Sequence, residues 1–157
     1  SRDAQRYHAS ERDAPAAHVR RLLDAGRSVL LQPYLDRVDA HGETALIFFD
    51  GKFSHAIRKG PLLRRGEGPT RALFAAEHIT PRQPSAAELA LAERTLAAIP
   101  FGTLLYARVD LLHTDQGSDK DGSPCVLELE LTEPSLFFAH AAGSAARCAR
   151  AIVARAA

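Results

Sequence analysis

The alternation of apolar and polar positions sorts most of the chain into short elements. In "VLELEL" (Val126–Leu131) apolar residues alternate with Glu128 and Glu130, the period of a strand with one apolar and one polar face. "LLYARVDLLHT" (Leu104–Thr114) reads as a strand that pairs back on it across the polar turn "DQGSDKDGSP". "ETALIFF" (Glu43–Phe49) and "KFSHAIRK" (Lys52–Lys59) flank Asp50-Gly51, the strongest short-range signal for a hairpin. "SVLLQPYL" (Ser28–Leu35) predicts a buried strand that ends in the loop "DRVDAHG". Helical spacing appears in Ala14–Ala25, through Ala17, Val19, Leu22 and Leu23, with Gly26 as a stop. Ser85 and Glu88 form a capping-box pattern that opens a helix through Leu89, Leu91, Leu96 and Ile99, ended by Pro100. An Ala-rich helix is expected over Ala141–Ala157. Residues 1–12 are polar and show no period, and Gly60–Arg71 reads as a loop rich in glycine and proline. Hairpins mixed with helices predict an α+β fold, an antiparallel sheet flanked by helices.

Composition narrows the function classes. With 157 residues the chain can bury a real core. Its 20 basic and 19 acidic side chains leave a net charge of +1, which argues against nucleic acid or an anionic membrane as the main partner. No apolar run approaches the roughly 20 residues that span a bilayer, and no signal segment is visible. Cys125 and Cys148 fall in a strand-like and a helical run, so a disulfide framework is not expected, and a reducing cytoplasm fits best. Methionine is absent, so the sequence is expected to be a fragment or an excised domain.

The acids raise a question of charge. Glu128 and Glu130 are two apart and share a strand face; if Asp110 faces the same way, three carboxylates converge, and like charges so placed call for a cation. Oxygen-only ligands suit Mg²⁺ or Mn²⁺. The other reading is an exposed face whose acids pair with neighbouring Lys and Arg. Arg58 and Lys59 end the hairpin, and Arg64, Arg65 and Arg71 lie in or beside the glycine-rich loop, which suggests either a polyphosphate site or a solvated basic loop. Neither a Walker A motif nor a G-x-G-x-x-G after a strand is present. The seven histidines are scattered; His55 and His140 could line a site, but structural or surface roles suit them better.

Taken in series, "LLQPYL", "GETALIFFDGKFSHAIRK", "YARVDLL" and "PCVLELELTEP" resemble the ATP-grasp ligases, and among them the glutathione-synthetase-like branch. The resemblance runs from about Ser28 to Pro134. It implies that the backbone of Gln32, Pro33, Tyr34 and Leu35 meets adenine, that Glu43 takes the ribose hydroxyls, and that Lys59 contacts the phosphates. Arg58 and Arg71 would serve phosphate or the acyl substrate. Arg108 would hold the transferred phosphoryl group or the reacting carboxylate. Asp110, Glu128 and Glu130 would bind Mg²⁺. The chain departs from the family's E-x-N at Glu130, where Asn is usual.

The resemblance further implies ATP as cofactor and a small carboxylate as substrate. Residues 1–27 would be the remainder of a small lid subdomain and 28–157 the C-terminal ATP-grasp domain. A substrate domain and a strand with an ATP-binding lysine would lie upstream. "SHAIRKGPLL" and "ELELTEPSLFF" are similar to enzymes of amino-acid-derived antibiotic pathways, including the cyclo-ligase of cycloserine formation. The expected reaction forms an acyl phosphate that an amine or related nucleophile captures. The alternative is a nucleotide-binding or interaction module without turnover. A metal-dependent phosphohydrolase would leave the adenine-strand motif unexplained. The apolar run Ser135–Ala142 offers a surface either to the missing domain or to a second copy in a homo-oligomer.

Overall fold

A two-residue turn at Asp50-Gly51, both residues at positive φ, closes the central hairpin. In the computed structural model, which describes residues 3–63, 78–114 and 122–156, the hairpin strands β1 (Glu43–Phe49) and β2 (Lys52–Lys59) match the sequence expectation residue for residue. Beside them lie β3 (Ile79–Arg82), β4 (Tyr106–His113) and β5 (Pro124–Glu130). The five form one sheet in the order β3-β2-β1-β4-β5, and every pairing is antiparallel. The α+β architecture expected from the sequence is therefore present.

Alternation along the strands sends apolar side chains to both faces. On one face Ala45, Ile47, Phe49 and Ile57 pack with Cys148 and Ala151 of α4 (Ser144–Ala156). On the other, Leu46, Phe48, Ala56, Val109 and Leu111 pack with Ala92 of α3 (Ala86–Ala97). The sheet is thus the middle of three layers. Ser85 caps α3 as its pattern predicts: its hydroxyl accepts the Glu88 N–H at 3.2 Å, and Glu88 Oε2 accepts the Ser85 N–H at 2.7 Å.

Of the described residues, 3–34 and 62–63 belong to one compact unit, and 35–61, 78–114 and 122–156 to another. The first holds α1 (Asp13–Asp24), one residue off its expected bounds. There Arg6 lies over the Tyr34 ring at 3.4 Å, and Arg27 pairs with Asp3. The second unit holds the sheet, α2 (Val38–His41), α3 and α4. Among the described residues no helix is long and apolar enough to cross a membrane.

Three expectations need correction. Ser28–Leu35 carries no strand, and Leu30 and Leu31 are each 82% exposed. An apolar run records a tendency to be buried but not a ladder partner, and this sheet is made without it. The last helix begins at Ser144, after a 3₁₀ turn at Phe138–His140, not at Ala141. The loop "DRVDAHG" contains the single turn α2, too short to show a period. Strand β3 was not anticipated either: it has four residues and includes Pro81, which an edge strand tolerates. Arg64, Arg65 and Arg71, and most of the turn after Thr114, lie outside the described residues.

Two details of the backbone set the site. Between Asp110 and Leu111 the β4–β5 register slips, so that Glu128 faces Asp110 while Val126 faces Leu111 and Leu127 is left between them. Ahead of β1, Gly42 sits at φ 77 and ψ −173, a conformation close to exclusive to glycine. A β-carbon there would come within 2.6 Å of the Lys59 carbonyl oxygen and 2.7 Å of Arg58 Nε. Gly42→Ala is therefore expected to cost about 1–3 kcal/mol, read as a fall in urea midpoint at unchanged m-value. A midpoint equal to wild type would show that the backbone relaxes freely there.

Candidate active site

At one end of the α4-covered face the side chains turn from apolar to charged. Glu43 is two residues ahead of Ala45 on β1, and Lys59 two beyond Ile57 on β2; the two are cross-strand partners. Asp110 stands opposite Ala45 on β4. Across β5, Arg108 pairs with Glu130 and Asp110 with Glu128. Period two then places Glu43, Lys59, Arg108, Asp110, Glu128 and Glu130 on the same face.

The cation opposite the acids is Arg108. Its Nη2 lies 2.8 Å from Asp110, 2.8 Å from Glu130 and 3.7 Å from Glu128. Its Nε also donates to Asp110 Oδ1 at 2.8 Å. Behind the guanidinium, the Ser135 carbonyl accepts from Nη1 at 3.4 Å, and the Phe137 ring centroid is 5.7 Å away. Phe137 holds a left-handed backbone, φ 51, so this support comes from a strained residue. Lys59 Nζ is the second cation, 2.5 Å from Glu43 Oε1 and 2.8 Å from Asp110 Oδ2.

The two carboxylates that share Lys59 divide the charge unequally. Burial would raise the Asp110 carboxyl, but hydrogen bonds from Arg108 and the charge of Lys59 outweigh this and hold it below the usual range. Among the described residues Glu43 is paired with Lys59 and not with a guanidinium. Burial, only partly offset by Lys59 and aided by the charge of Asp110, pushes it up to about 7. Lys59 is itself raised: burial disfavours its charge, and Asp110 and Glu43 more than restore it. Asp110 is buried with the cations, whereas Glu130 and Glu128 are 30% and 53% exposed.

Arg58, expected beside Lys59, is not part of this group. Arg58 faces the other side of the sheet, where it donates to the carbonyls of His41 at 2.8 Å and Ala40 at 3.1 Å. Gln32 and Pro33 are exposed, and Tyr34 and Leu35 half-buried, in irregular chain. His55 anchors structure, its Nε2 meeting the Leu136 carbonyl at 2.9 Å. The sequence marked Ser135 and Phe137 only as part of the apolar run Ser135–Ala142, because an apolar run after a turn says nothing of which side chain it touches.

No family model matches the chain. It is 42% identical over 158 aligned residues to the cycloserine biosynthesis protein DcsG of Streptomyces lavendulae, an alignment that takes in 99% of this chain and 51% of that protein. The crystal structure of D-cycloserine synthetase DcsG superposes with a TM-score of 0.79 and 40% identity, over 98% of this chain and 51% of that one. The chain therefore spans about half the length of these relatives. A D-alanine–D-alanine ligase from Bacillus anthracis, solved complexed with ATP, shares the fold at a TM-score of 0.54 and 19% identity, over 92% of this chain and 46% of that one. The antiparallel sheet with its flanking helices has the ATP-grasp fold, and in sequence the chain is similar to DcsG over about half of that protein's length.

Proposed function

We propose that this chain carries the nucleotide and divalent-cation face of an ATP-dependent ligase of antibiotic biosynthesis. The reaction joins a carboxylate to an amine or related nucleophile through an acyl phosphate, releasing ADP and phosphate. The observation that carries the reading is the convergence of Asp110, Glu128 and Glu130 on the Arg108 guanidinium. The relation to DcsG supports antibiotic biosynthesis, and the ATP complex of the D-alanine–D-alanine ligase supports the nucleotide.

The donor set fits a hard cation. All three ligands are carboxylates, as Mg²⁺ or Mn²⁺ prefers, and they already gather round one cationic nitrogen. Asp110, Glu128 and Glu130 would hold the ion, and bound Mg²⁺ would supply neutralisation of phosphate charge. Arg108, at the centre of the acids, would hold the reacting carboxylate and the phosphoryl oxygens through its N–H groups as charge develops there. Lys59 keeps a second cation at the same end of the sheet, for the phosphates. Glu43 takes the ribose hydroxyls, and the backbone of Gln32 to Leu35 the adenine. Arg71 serves phosphate or the acyl group, whereas Arg58, turned to the other side of the sheet, does not. Residues 1–27 are the remainder of a lid and 28–157 the ATP-binding domain, completed by a substrate domain of the same enzyme. Little covalent work falls to the protein, which positions groups and neutralises charge.

Calorimetry with a non-hydrolysable ATP analogue tests this reading. Binding is expected to require Mg²⁺ and to weaken tenfold or more in Glu128→Ala, whose half-exposed side chain can be removed without disturbing the core. Binding indifferent to both Mg²⁺ and Glu128 would refute the assignment. Release of phosphate by the whole enzyme only in the presence of a carboxylate separates a ligase from a module that merely binds nucleotide.

A further inference from the structure

On the face of the sheet turned away from the acids, three side chains meet from three elements. His41 closes α2, Glu88 lies in the first turn of α3, and His113 ends β4. One ligand atom from each lies within 4.8 Å of the other two. His113 Nε2 is 3.2 Å and His41 Nε2 3.7 Å from Glu88 Oε1. Glu88 and His113 are 4% exposed and His41 20%. A hydrogen-bonded network accounts for part of this. Thr44 Oγ1 donates to Glu88 Oε1 at 2.6 Å, and Arg82 donates to Thr44 Oγ1 at 2.7 Å and to the His41 carbonyl at 2.9 Å. It does not account for His41 Nε2, which is shut off from solvent and has no hydrogen-bond partner among the described residues. A buried imidazole nitrogen left in this way calls for an occupant.

We infer that His41, Glu88 and His113 bind a zinc ion through His41 Nε2, His113 Nε2 and Glu88 Oε1, with water as the fourth ligand. Two imidazoles and a carboxylate form a zinc set and a poor magnesium one. At zinc–ligand distances of about 2.0–2.1 Å, neighbouring ligands of a tetrahedron stand about 3.3 Å apart, which the 3.2 and 3.7 Å separations bracket. Glu88 can coordinate through Oε1 and keep Oε2 on the Ser85 N–H, so the cap of α3 survives. The two rings lie with centroids 3.9 Å apart and planes 34° from parallel, and they would have to separate by about 1 Å for both to ligate one tetrahedral ion.

The charge state also suits a metal. Burial first, and then the charge of Arg82, lower the His41 ring from its usual value, only partly offset by Glu88, and the neutral ring is the form that ligates. Glu88 is ionised: burial would raise its carboxyl, but hydrogen bonds from Thr44, the Ser85 N–H and His113 bring it down to about 2. Arg82 is the opposing term, a cation beside the site that donates to Thr44 Oγ1 and the His41 carbonyl. The ion would tie α2 to α3 and β4. Because His41 is two residues ahead of Glu43, it would also fix where β1 begins.

Zinc titration of the chelator-treated full chain, by calorimetry and by thermal melting, is the test, with Co²⁺ as a spectroscopic probe. One equivalent of Zn²⁺ is expected to bind and raise Tm, and Co²⁺ is expected to give the intense visible bands of a four-coordinate site. His41→Ala and His113→Gln should each weaken Zn²⁺ binding at least tenfold, while Glu128→Ala leaves it unchanged. If His113→Gln fails to fold, His41→Ala, at the more exposed ligand, decides alone. Absence of zinc uptake, or uptake unchanged in His41→Ala, overturns the proposal. Loss in Glu128→Ala also overturns it, since the ion would then sit on the acidic face.

Discussion

Asp110→Ala is expected to lower stability by about 3 kcal/mol, the lower end of the roughly 3–5 kcal/mol that follows removal of one partner from a buried ion pair. Asp110 is fully buried and takes Arg108 and Lys59 together, each at 2.8 Å. Its loss leaves two buried cations short of charge. The cost stays at the low end because neither cation is abandoned. Arg108 keeps Glu130 at 2.8 Å, and Lys59 keeps Glu43, whose competitor for that lysine has gone. For a chain of this length about 3 kcal/mol corresponds to a fall of about 6–12 °C in Tm, measurable by calorimetry or circular dichroism. Glu128→Ala, on the same face but half-exposed, should move Tm by no more than about 2 °C. Equal Tm values for the two variants would mean that Asp110 is not the centre of the cluster.

Stability of the metal-free chain should peak near pH 4.5 and decline on both sides, because two carboxylates pull in opposite directions. Glu43 has a folded value raised from 4.5 to about 7. Between those values the folded chain holds a proton that the unfolded chain has released, so stability falls as pH rises from 4.5 to 7. Glu88 has a folded value lowered from 4.5 to about 2. Its contribution is complete above 4.5 and is lost as pH falls from there towards 2. At 1.36 kcal/mol per pH unit each limb amounts to about 3 kcal/mol. Urea melts across pH, in the presence of a chelator, read both limbs. Glu43→Gln should flatten the neutral limb, and Glu88→Gln the acid limb. Asp110→Ala should flatten the neutral limb too, since Lys59 then serves Glu43 alone. A neutral limb that survives Glu43→Gln would assign it to another group.

What could be read from the sequence was what depends on neighbours along the chain. The Asp50-Gly51 hairpin and the Ser85–Glu88 cap came out with their bounds because a turn or a cap needs only a few adjacent residues. That Glu128 and Glu130 share a face followed from the two-residue period of a strand. The cation they face did not, because opposing Arg108 to Glu130 requires the cross-strand register. Arg58 and Lys59 looked like one basic cluster, yet as consecutive strand residues they point to opposite sides, one to the carbonyls before β1 and the other to Asp110. Ser28–Leu35 misled for the converse reason: its apolar residues gave a propensity without a partner. His41, Glu88 and His113 lie up to 72 positions apart (113 minus 41), and only the packing of α3 on the sheet brings them together.

The unopposed Leu127 has a consequence for how the acidic strand can change. Strict alternation would put Val126 on the side of Glu128; instead Val126 stands opposite Leu111. The strand therefore behaves as two segments half a pleat out of phase. The segment that carries the acids takes its phase from Leu129, which packs beneath the sheet near Val109 and Leu111. The segment leading to the turn answers to a separate phase. A residue gained or lost on the turn side can be taken up at Leu127, by making or erasing the slip, without rolling the carboxylates over to the apolar side. The hairpin arm is in this sense free to drift in length while the charges it delivers stay aimed.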